Sequence, residues 1–453
     1  MTESAWKTRR DNTLHSVSVC YNDPTFKEEE RDMVLALILF IAMYVFLLLF
    51  PDRRWITALI AAGVFVILGI LPVSNVFGAV NWNVILMLTG TMVVVELFVE
   101  SRMPMRLAEY LLKIVPNACW AVVVLSLFSG FISAFVDNVA TVLMVAPIGL
   151  AVAKKLNINP IPVIVSIAVS SNLQGAATLV GDTTSILLGG YAGMSFNDFF
   201  WFQGKPGIFF SVETGALLTI PVLLWLFRKD REPVRAEVTT VVEDHVPTVL
   251  MVGVVAALIF ASQFESKPEI TNGLICIGFG LFGCVYTMLK EKSGDVWKRA
   301  VKSVDFNTLL LLIGLFIVIE GINEAGVIDA IAGLFVKIGG NSLFLMYTLI
   351  VFASVAISAF VDNIPYVATM LPVVKGIALA MGVEPYLLYF GLLIGATLGG
   401  NLTPVGASAN IAGIGILQKE GYEVSTKDFM RIGVPFTAVA VLAGYVVTWL
   451  IWA

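Results

Sequence analysis

Two aspartates stand at equivalent places in a repeated apolar sequence. Ile-Ser-Ala-Phe-Val-Asp-Asn at residues 132–138 recurs unchanged at residues 357–363, which brings Asp137 and Asp362 into matching surroundings. A carboxylate at the centre of a bilayer costs roughly several kcal/mol, so it persists where it faces a cavity or binds a cation or proton. The neighbouring asparagine and hydroxyl oxygens would complete a set of hard ligands for Na⁺, or for a proton held on the aspartate. The alternative is that each aspartate only caps a helix.

A second pair of segments is rich in glycine, asparagine and hydroxyl residues. They cover residues 171–185 and 399–410. Glycine, together with a proline in the second segment, would unwind a helix in mid-span and expose main-chain groups. The half-helix N-termini would then direct N–H donors into a cavity. The alternative is close packing of small residues between helices. Asp182 has no acidic counterpart, because Ala407 takes its place.

The composition indicates a membrane protein that crosses the bilayer many times. Of 453 residues, 58% are hydrophobic and 13% are charged, with a mean hydropathy of +0.90. Soluble proteins carry about 25% charged residues, so a soluble or disordered chain is excluded. The net charge of −5 gives no sign of nucleic-acid binding. The four cysteines and two histidines form no disulfide or zinc pattern, so we expect no cofactor beyond a bound Na⁺.

Apolar runs of about 20 residues mark the membrane spans. The predicted spans are 33–50, 55–75, 83–100, 207–227, 247–263, 270–289, 306–322 and 432–452. Two further regions, 118–190 and 342–417, are apolar but interrupted by polar residues, glycine and proline. Polar, non-helical backbone at membrane depth requires cover from protein or a water-filled cavity. Each interrupted region therefore predicts a re-entrant hairpin followed by a broken helix.

The distribution of basic residues sets the predicted topology. Most of them fall on one side of the membrane when the chain makes ten crossings plus two re-entrant hairpins, with both termini outside. The N-terminal 32 residues are polar and form a tail rather than a signal peptide.

The repeat extends far beyond the seven identical residues. Gly175, Thr178 and Gly181 recur 225 residues later, and Gly90 and Glu96 recur 224 residues later. The halves are residues 33–227 and 247–453, joined by a charged linker at 228–246. Since each half has five crossings, the second half enters the membrane from the opposite side. Inverted-topology repeats of this kind are typical of secondary transporters. The predicted fold is therefore an all-α polytopic membrane protein of two inverted repeats, with two hairpins and two unwound helices.

The paired motifs resemble those of the ion transporter superfamily. Residues 133–148 and 171–186, with 358–373 and 398–413, are similar to the branch of arsenite permeases, NhaD-type Na⁺/H⁺ antiporters and P-protein relatives, which share a citrate-transporter-like domain. The resemblance implies two ion sites flanking a central substrate site, an elevator-like movement, a homodimer and a plasma-membrane location. One implied cation site is Ser133, Asp137, Asn138, Thr141 and Gly181, and the other is Ser358, Asp362, Asn363, Gly406 and Ala407.

Further residues of the two unwound segments complete the predicted binding site. They are Thr178, Asp182, Thr183, Asn401, Thr403, Ser408 and Asn410. In a sodium-coupled protein, Na⁺ would be held by Asp137, Asn138, Asp362 and Asn363.

These features predict a proton- or sodium-coupled secondary transporter rather than an enzyme. Na⁺/H⁺ exchange or efflux of arsenite or antimonite by alternating access fits two membrane carboxylates. Na⁺-coupled uptake of a di- or tricarboxylate is the alternative, although related dicarboxylate symporters carry Ser-Asn-Thr at the tips, without the acid. An intramembrane aspartyl protease would need Gly-x-Gly-Asp, and Leu179 stands two residues before Gly181. A passive channel is disfavoured because blind-ended hairpins suit occlusion better than a continuous pore.

Overall fold

A computed structural model describes residues 24–234, 237–264, 266–340 and 342–453. These residues form 20 α-helices and one two-stranded β-hairpin. Eight helices are long and apolar enough to cross a membrane, which confirms the predicted all-α polytopic membrane fold. Most of the predicted N-terminal tail lies outside the described residues.

The first half follows the predicted spans with two differences. The span predicted at 33–50 belongs to a helix that begins at Pro24, and the span at 55–75 is not one helix, because Gly69 takes a φ of +75° and Pro72 follows. The helices are α1 (Pro24–Leu49), α2 (Arg54–Ile67), α3 (Val73–Ala79), α4 (Trp82–Glu100), α5 (Met103–Ile114), α6 (Ala118–Ser133), α7 (Asn138–Lys155), α8 (Pro160–Gly175), α9 (Thr183–Ala192) and α10 (Ile208–Leu226). Strands β1 (Trp201–Phe202) and β2 (Lys205–Pro206) form an antiparallel hairpin before α10.

The second half repeats this order helix for helix, and α13, the counterpart of α3, is an amphipathic helix before the third predicted span. The helices are α11 (Val246–Ala261), α12 (Thr271–Glu291), α13 (Asp295–Ser303), α14 (Phe306–Glu324), α15 (Val327–Gly339), α16 (Leu343–Ser358), α17 (Asn363–Met381), α18 (Tyr386–Gly399), α19 (Ser408–Lys419) and α20 (Thr426–Trp452). Predicted spans 247–263, 270–289, 306–322 and 432–452 correspond to α11, α12, α14 and α20.

Each interrupted region contains a helical hairpin and then a broken helix. Helices α6 and α7 meet at residues 134–137, and α16 and α17 meet at residues 359–362. An extended segment of residues 176–182 separates α8 from α9, and residues 400–407 separate α18 from α19. The sequence therefore located both breaks, while the depth of the hairpins in the bilayer stays a prediction.

The hairpins and broken helices are joined in the same register in both halves. Ser171 Oγ donates to Ser133 Oγ at 3.0 Å, which ties α8 to α6. Ser358 Oγ donates to Ala396 O at 2.5 Å, which ties α16 to α18. The spacing between partners is 38 residues in both cases. The duplicated sequence therefore builds the same helix pair twice.

The described residues form two compact units. The first contains residues 24–80 and 310–334, and the second contains residues 81–309 and 335–453. In the second unit α4 packs against α12, and a Cβ on Gly90 would lie 2.2 Å from the Cys276 carbonyl carbon. In the first unit, a Cβ on Gly314, the repeat partner of Gly90, would lie 2.7 Å from the Ala58 carbonyl carbon. In each unit this glycine lets a helix of one half cross a helix of the other half closely.

Candidate ion and substrate site

A cavity of about 420 Å³ lies in the second unit, between the two hairpin tips. Its polar lining combines carboxylates, amides and hydroxyls, with no lysine or arginine among the described residues that face it. Apolar side chains of α4 and α7 form much of the remaining wall. The polar lining residues are Glu96, Asp137, Asn138, Asp182, Thr183, Ser303, Asp305, Thr308, Asn363 and Ser408.

A second, much smaller cavity adjoins the first hairpin tip. Its volume is about 10 Å³, close to the space that one water molecule requires. Asp137, Gly181, Asp182 and Thr183 line it, opposite apolar residues of α4. Carboxylate, hydroxyl and main-chain oxygens around so small a space suit a single hard cation or a water molecule.

Asp137 combines the two roles that the sequence left open. Its Oδ1 accepts hydrogen bonds from Val139 N at 3.0 Å and Ala140 N at 3.1 Å, which caps α7. These bonds do not use Oδ2, and Asp137 lines both cavities. Capping therefore fixes the position of the carboxylate and leaves one oxygen for a cavity occupant.

Asp362 caps the equivalent helix but lies deeper. Its Oδ1 accepts from Ile364 N at 3.0 Å, and Ser408 Oγ donates to its Oδ2 at 3.4 Å. The residue is buried, and its neighbours Asn363 and Ser408 line the large cavity in its place. The two tips therefore have the same backbone design but present different groups.

Two threonines and two glycines hold the unwound segments against the tips. Thr178 Oγ1 donates to Ala134 O, and Thr403 Oγ1 makes the equivalent bond to Ala359 O. A Cβ on Gly181 would lie 2.6 Å from Ser133 O, so only glycine fits there, and a Cβ at its repeat partner would lie 3.0 Å from Ala359 O. These residues bring the tip and the unwound segment together, and Gly181 also lines the small cavity.

Asp182 connects the first unwound segment to the second tip. Its Oδ2 accepts from Thr184 Oγ1 at 2.9 Å and from Asn363 Nδ2 at 3.5 Å. Thr184 Oγ1 also lies 3.0 Å from Thr397 Oγ1 on α18. The carboxylate without a counterpart therefore lies where the two halves meet.

A chain of asparagines makes the reciprocal connection. Asn138 Nδ2 donates to Asn172 Oδ1 at 2.9 Å. Asn172 Nδ2 donates to Asn401 Oδ1 at 2.8 Å and to Asn410 Oδ1 at 2.9 Å. The first tip is thus tied to the unwound segment of the second half.

The structure divides the predicted site residues into two groups. Asp137, Asn138, Asp182, Thr183, Asn363 and Ser408 line the large cavity, and Gly181 lines the small one. The others lie outside the lining of these two cavities, in the tips and unwound segments; they are Ser133, Thr141, Thr178, Ser358, Asp362, Asn401, Thr403, Gly406, Ala407 and Asn410.

Sequence reasoning missed the residues at the end of the cavity near α14. Asp305 lines the cavity and caps α14, accepting from Thr308 N at 3.1 Å. Asn81 precedes Asp305 by 224 residues and caps α4 through Val84 N at 3.1 Å. The repeat register could therefore have identified Asp305. It could not have identified Asn172, which does not line the cavity.

Residues 38–395 match the sequence profile of a citrate transporter family. This chain belongs to that family. An uncharacterised transporter of Mycobacterium bovis is 32% identical over 441 residues, covering 92% of this chain and 98% of the relative. The 46 kDa membrane protein of Mycobacterium leprae is 31% identical over 428 residues, with the same coverage. The human P protein is 24% identical over 505 residues, covering 92% of this chain and 59% of the relative.

Two solved transporters share the fold. The YdaH transporter of Alcanivorax borkumensis has a TM-score of 0.60 at 14% identity, over 83% of this chain and 86% of that one. Neisseria gonorrhoeae MtrF, described within a class of antimetabolite efflux pumps, has a TM-score of 0.56 at 14% identity, over 84% and 83%. The protein is therefore a multi-pass membrane transporter of the ion transporter superfamily and not an enzyme.

Proposed function

We propose that this transporter is driven by Na⁺ or H⁺ and moves a small inorganic ion or solute by alternating access. One observation carries the proposal: four carboxylates and no lysine or arginine line the large cavity among the described residues. Such a surface attracts cations and repels anions, and low-dielectric walls strengthen both effects. Na⁺/H⁺ exchange is the simplest activity that such a cavity supports.

The chemistry assigns different tasks to the polar groups. Asp137 Oδ2 and the Asp182 carboxylate adjoin the small cavity, where a Na⁺ or a proton neutralises their charge. The large cavity, at about 420 Å³, then has room for a solute beside the coupling ion. A neutral hydroxide such as arsenite or antimonite would bind through hydrogen bonds to Asn138, Asn363 and Ser408.

Na⁺-coupled transport of a di- or tricarboxylate such as citrate is the second candidate. The family name favours it, and the cavity volume suits a small organic acid. The four carboxylates oppose it unless cations enter first and compensate their charge. This candidate therefore predicts that citrate uptake requires a cation bound before the anion.

Flux into proteoliposomes tests both candidates. Purified protein is reconstituted, pH and Na⁺ gradients are imposed separately, and ²²Na⁺, arsenite and citrate fluxes are measured beside protein-free vesicles. Na⁺ or arsenite movement driven by a pH gradient would support the leading proposal. Citrate uptake that requires Na⁺, with no Na⁺/H⁺ exchange in its absence, would replace it with the symporter. Flux of all three solutes without any gradient dependence would contradict both. The homodimer stays a prediction from the family resemblance.

A further inference from the structure

Asn172 is a buried polar residue that does not line the cavity. Its side chain has no exposed surface, yet its amide contacts Asn138, Asn401 and Asn410. An amide has two donor hydrogens on nitrogen and one acceptor oxygen. All three side-chain hydrogen bonds therefore use defined atoms, and their directions can be worked out from the outer members of the network.

Asn410 sets one of these directions. Its Nδ2 donates to Gly400 O at 3.0 Å and to Thr403 O at 3.1 Å. Main-chain carbonyls only accept, so both hydrogens of this amide are used and its Oδ1 must face the opposite way. Asn410 therefore presents an acceptor to Asn172.

Asn401 imposes the same requirement from a second side. Its Nδ2 donates to Val169 O at 3.0 Å, which leaves Oδ1 to accept from Asn172. With two acceptors to serve, Asn172 must place its Nδ2 toward Asn401 and Asn410. Its Oδ1 then accepts from Asn138 Nδ2. The orientation of the Asn138 amide thus follows from main-chain carbonyls in the core.

We propose that Asn172 is a positioning residue that holds the Asn138 carbonyl oxygen toward the cavity as a cation ligand. Because the nitrogen of Asn138 is directed to Asn172, its Oδ1 is the atom left for the cavity that Asn138 lines. This oxygen follows Asp137 in the chain, so the first tip offers a carboxylate and an amide oxygen to one cation. The inference rests on the proposed cation coupling and names the residue that arranges the site.

The second half lacks this arrangement. Thr397 stands at the repeat position of Asn172 and contacts Thr184 instead of the neighbouring tip. Asn363, the partner of Asn138, donates to the Asp182 carboxylate. The two tips are therefore oriented by different groups, an amide network at the first and a carboxylate at the second. Only the first tip depends on Asn172.

Sodium-dependent thermal stabilisation of the purified full chain tests this role. NaCl is titrated against choline chloride at constant ionic strength, and the rise in unfolding temperature gives the half-saturating Na⁺ concentration. Asn172→Thr introduces the residue of the second half, whose rotatable hydroxyl no longer fixes the Asn138 amide. We expect the half-saturating concentration to rise on the order of tenfold, the effect of about one charge-assisted hydrogen bond. Asn172→Ser serves as a second variant where the threonine variant fails to fold.

Two controls separate positioning from general damage. Asn159→Thr makes the same change at the N-cap of α8, where threonine also caps, and should leave Na⁺ binding unchanged. In an Asn138→Asp background both outer atoms of residue 138 are oxygens, so its orientation no longer matters. Adding Asn172→Thr to that background should then leave the half-saturating Na⁺ concentration within about twofold, since the coupling has been removed.

The outcomes distinguish this inference from the function on which it rests. Unchanged Na⁺ binding in Asn172→Thr, or the same loss in the Asn138→Asp background, would overturn the positioning role alone. A wild-type chain with no Na⁺ response, or a response that persists fully in Asp137→Asn, would overturn Na⁺ coupling at the first tip and this inference with it.

Discussion

Gly130 on α6 lies directly against the side-chain amide of Gln174 on α8. A Cβ on Gly130 would come within 2.2 Å of Gln174 Nε2. At the repeat partners the sizes are exchanged: Gly399 on α18 faces Val355 on α16, and a Cβ on Gly399 would lie 2.6 Å from Val355 Cα. Both helix pairs keep the same register, so the duplicated halves preserve the packing while the larger side chain changes helix.

This exchange predicts that Gly130→Val is destabilising and that Gln174→Gly repairs it. Valine would overlap the buried Gln174 amide, and overpacking of this kind costs about 1–3 kcal/mol. The double variant recreates the glycine–valine arrangement of the second half and should recover most of the loss in unfolding temperature, measured in detergent. Gly278→Val, on α12 with open space around the glycine, is the control. A double variant no more stable than Gly130→Val would contradict the equivalence of the two pairs.

The sequence predicted the parts of the fold that leave a local pattern. Repeated apolar runs located the spans, and glycine with proline located the unwound segments. The link from Asn172 to Asn410 joins residues 238 positions apart, and no local pattern marks either as a partner of the other. The repeat also suggested two equal tips, whereas Asp137 lines the cavity and Asp362 lies behind Asn363 and Ser408. Side-chain packing between the halves decides these differences.

Asp137→Asn and Asp362→Asn should each abolish coupled flux while leaving folding and insertion intact. Asparagine keeps the shape and can still cap through its oxygen, but it lacks the charge that balances a cation. The measurement is gradient-driven ²²Na⁺ flux at matched amounts of reconstituted protein. Asp295→Asn, an exposed aspartate paired with Lys298, should retain full flux. Full flux in both tip variants would restrict these aspartates to helix capping.

Sodium and protons should compete for the carboxylates at the tips. A bound Na⁺ favours the ionised carboxylate and a proton removes the charge that holds Na⁺, so the two exclude each other. Raising the pH should therefore lower the half-saturating Na⁺ concentration, steeply at first and then less. Thermal stabilisation by Na⁺ across about pH 5.5 to 9 measures this. A Na⁺ response independent of pH would exclude a shared site, and no Na⁺ response at any pH would leave coupling to protons alone.

The linker between the halves is fastened by Glu109 on α5. Its carboxylate accepts from the backbone nitrogens of Thr239 and Thr240, both at 2.9 Å, and from both hydroxyls. Burial alone would raise the pKa of Glu109, but the hydrogen bonds from Thr240 and Thr239 outweigh it and lower the pKa. A lowered folded-state pKa means that the stabilisation is present above the ordinary glutamate pKa and is lost as pH falls through the lower value.

Acidification should therefore release the linker, and Glu109→Ala should release it at neutral pH. The measurement is the rate at which an acid-tolerant protease cleaves the linker, compared between about pH 7 and pH 3. Glu420→Ala, which removes an exposed salt bridge with Lys154, is the matched control and should cleave at the wild-type rate at neutral pH. Equal cleavage of wild type and Glu109→Ala at neutral pH would show that the four hydrogen bonds do not restrain the linker.

The two halves differ at one contact that inverted repeats should exchange during transport. Asn81 Nδ2 donates to Gly190 O at 3.1 Å, and a Cβ on Gly190 would lie 2.4 Å from Val84 Cγ2, so α4 and α9 are closed together at this end. Their repeat partners are open: Asp305 lines the cavity, and a Cβ on Gly415 would have no atom of the described residues within 4 Å beyond its own helix backbone. Alternating access between two such states would close the second contact and open the first.

Paired cysteines can trap each state in a chain whose native cysteines are replaced. Asn81→Cys with Gly190→Cys should cross-link readily in the state described and stop flux, because α4 and α9 can no longer separate. Asp305→Cys with Gly415→Cys should cross-link only when a cation gradient drives the protein into the exchanged state. Reduction of either disulfide should restore movement between the states, which excludes simple damage by the substitutions. Undiminished flux through the cross-linked Asn81–Gly190 variant would show that this contact stays closed throughout transport and that the repeats do not exchange their conformations here.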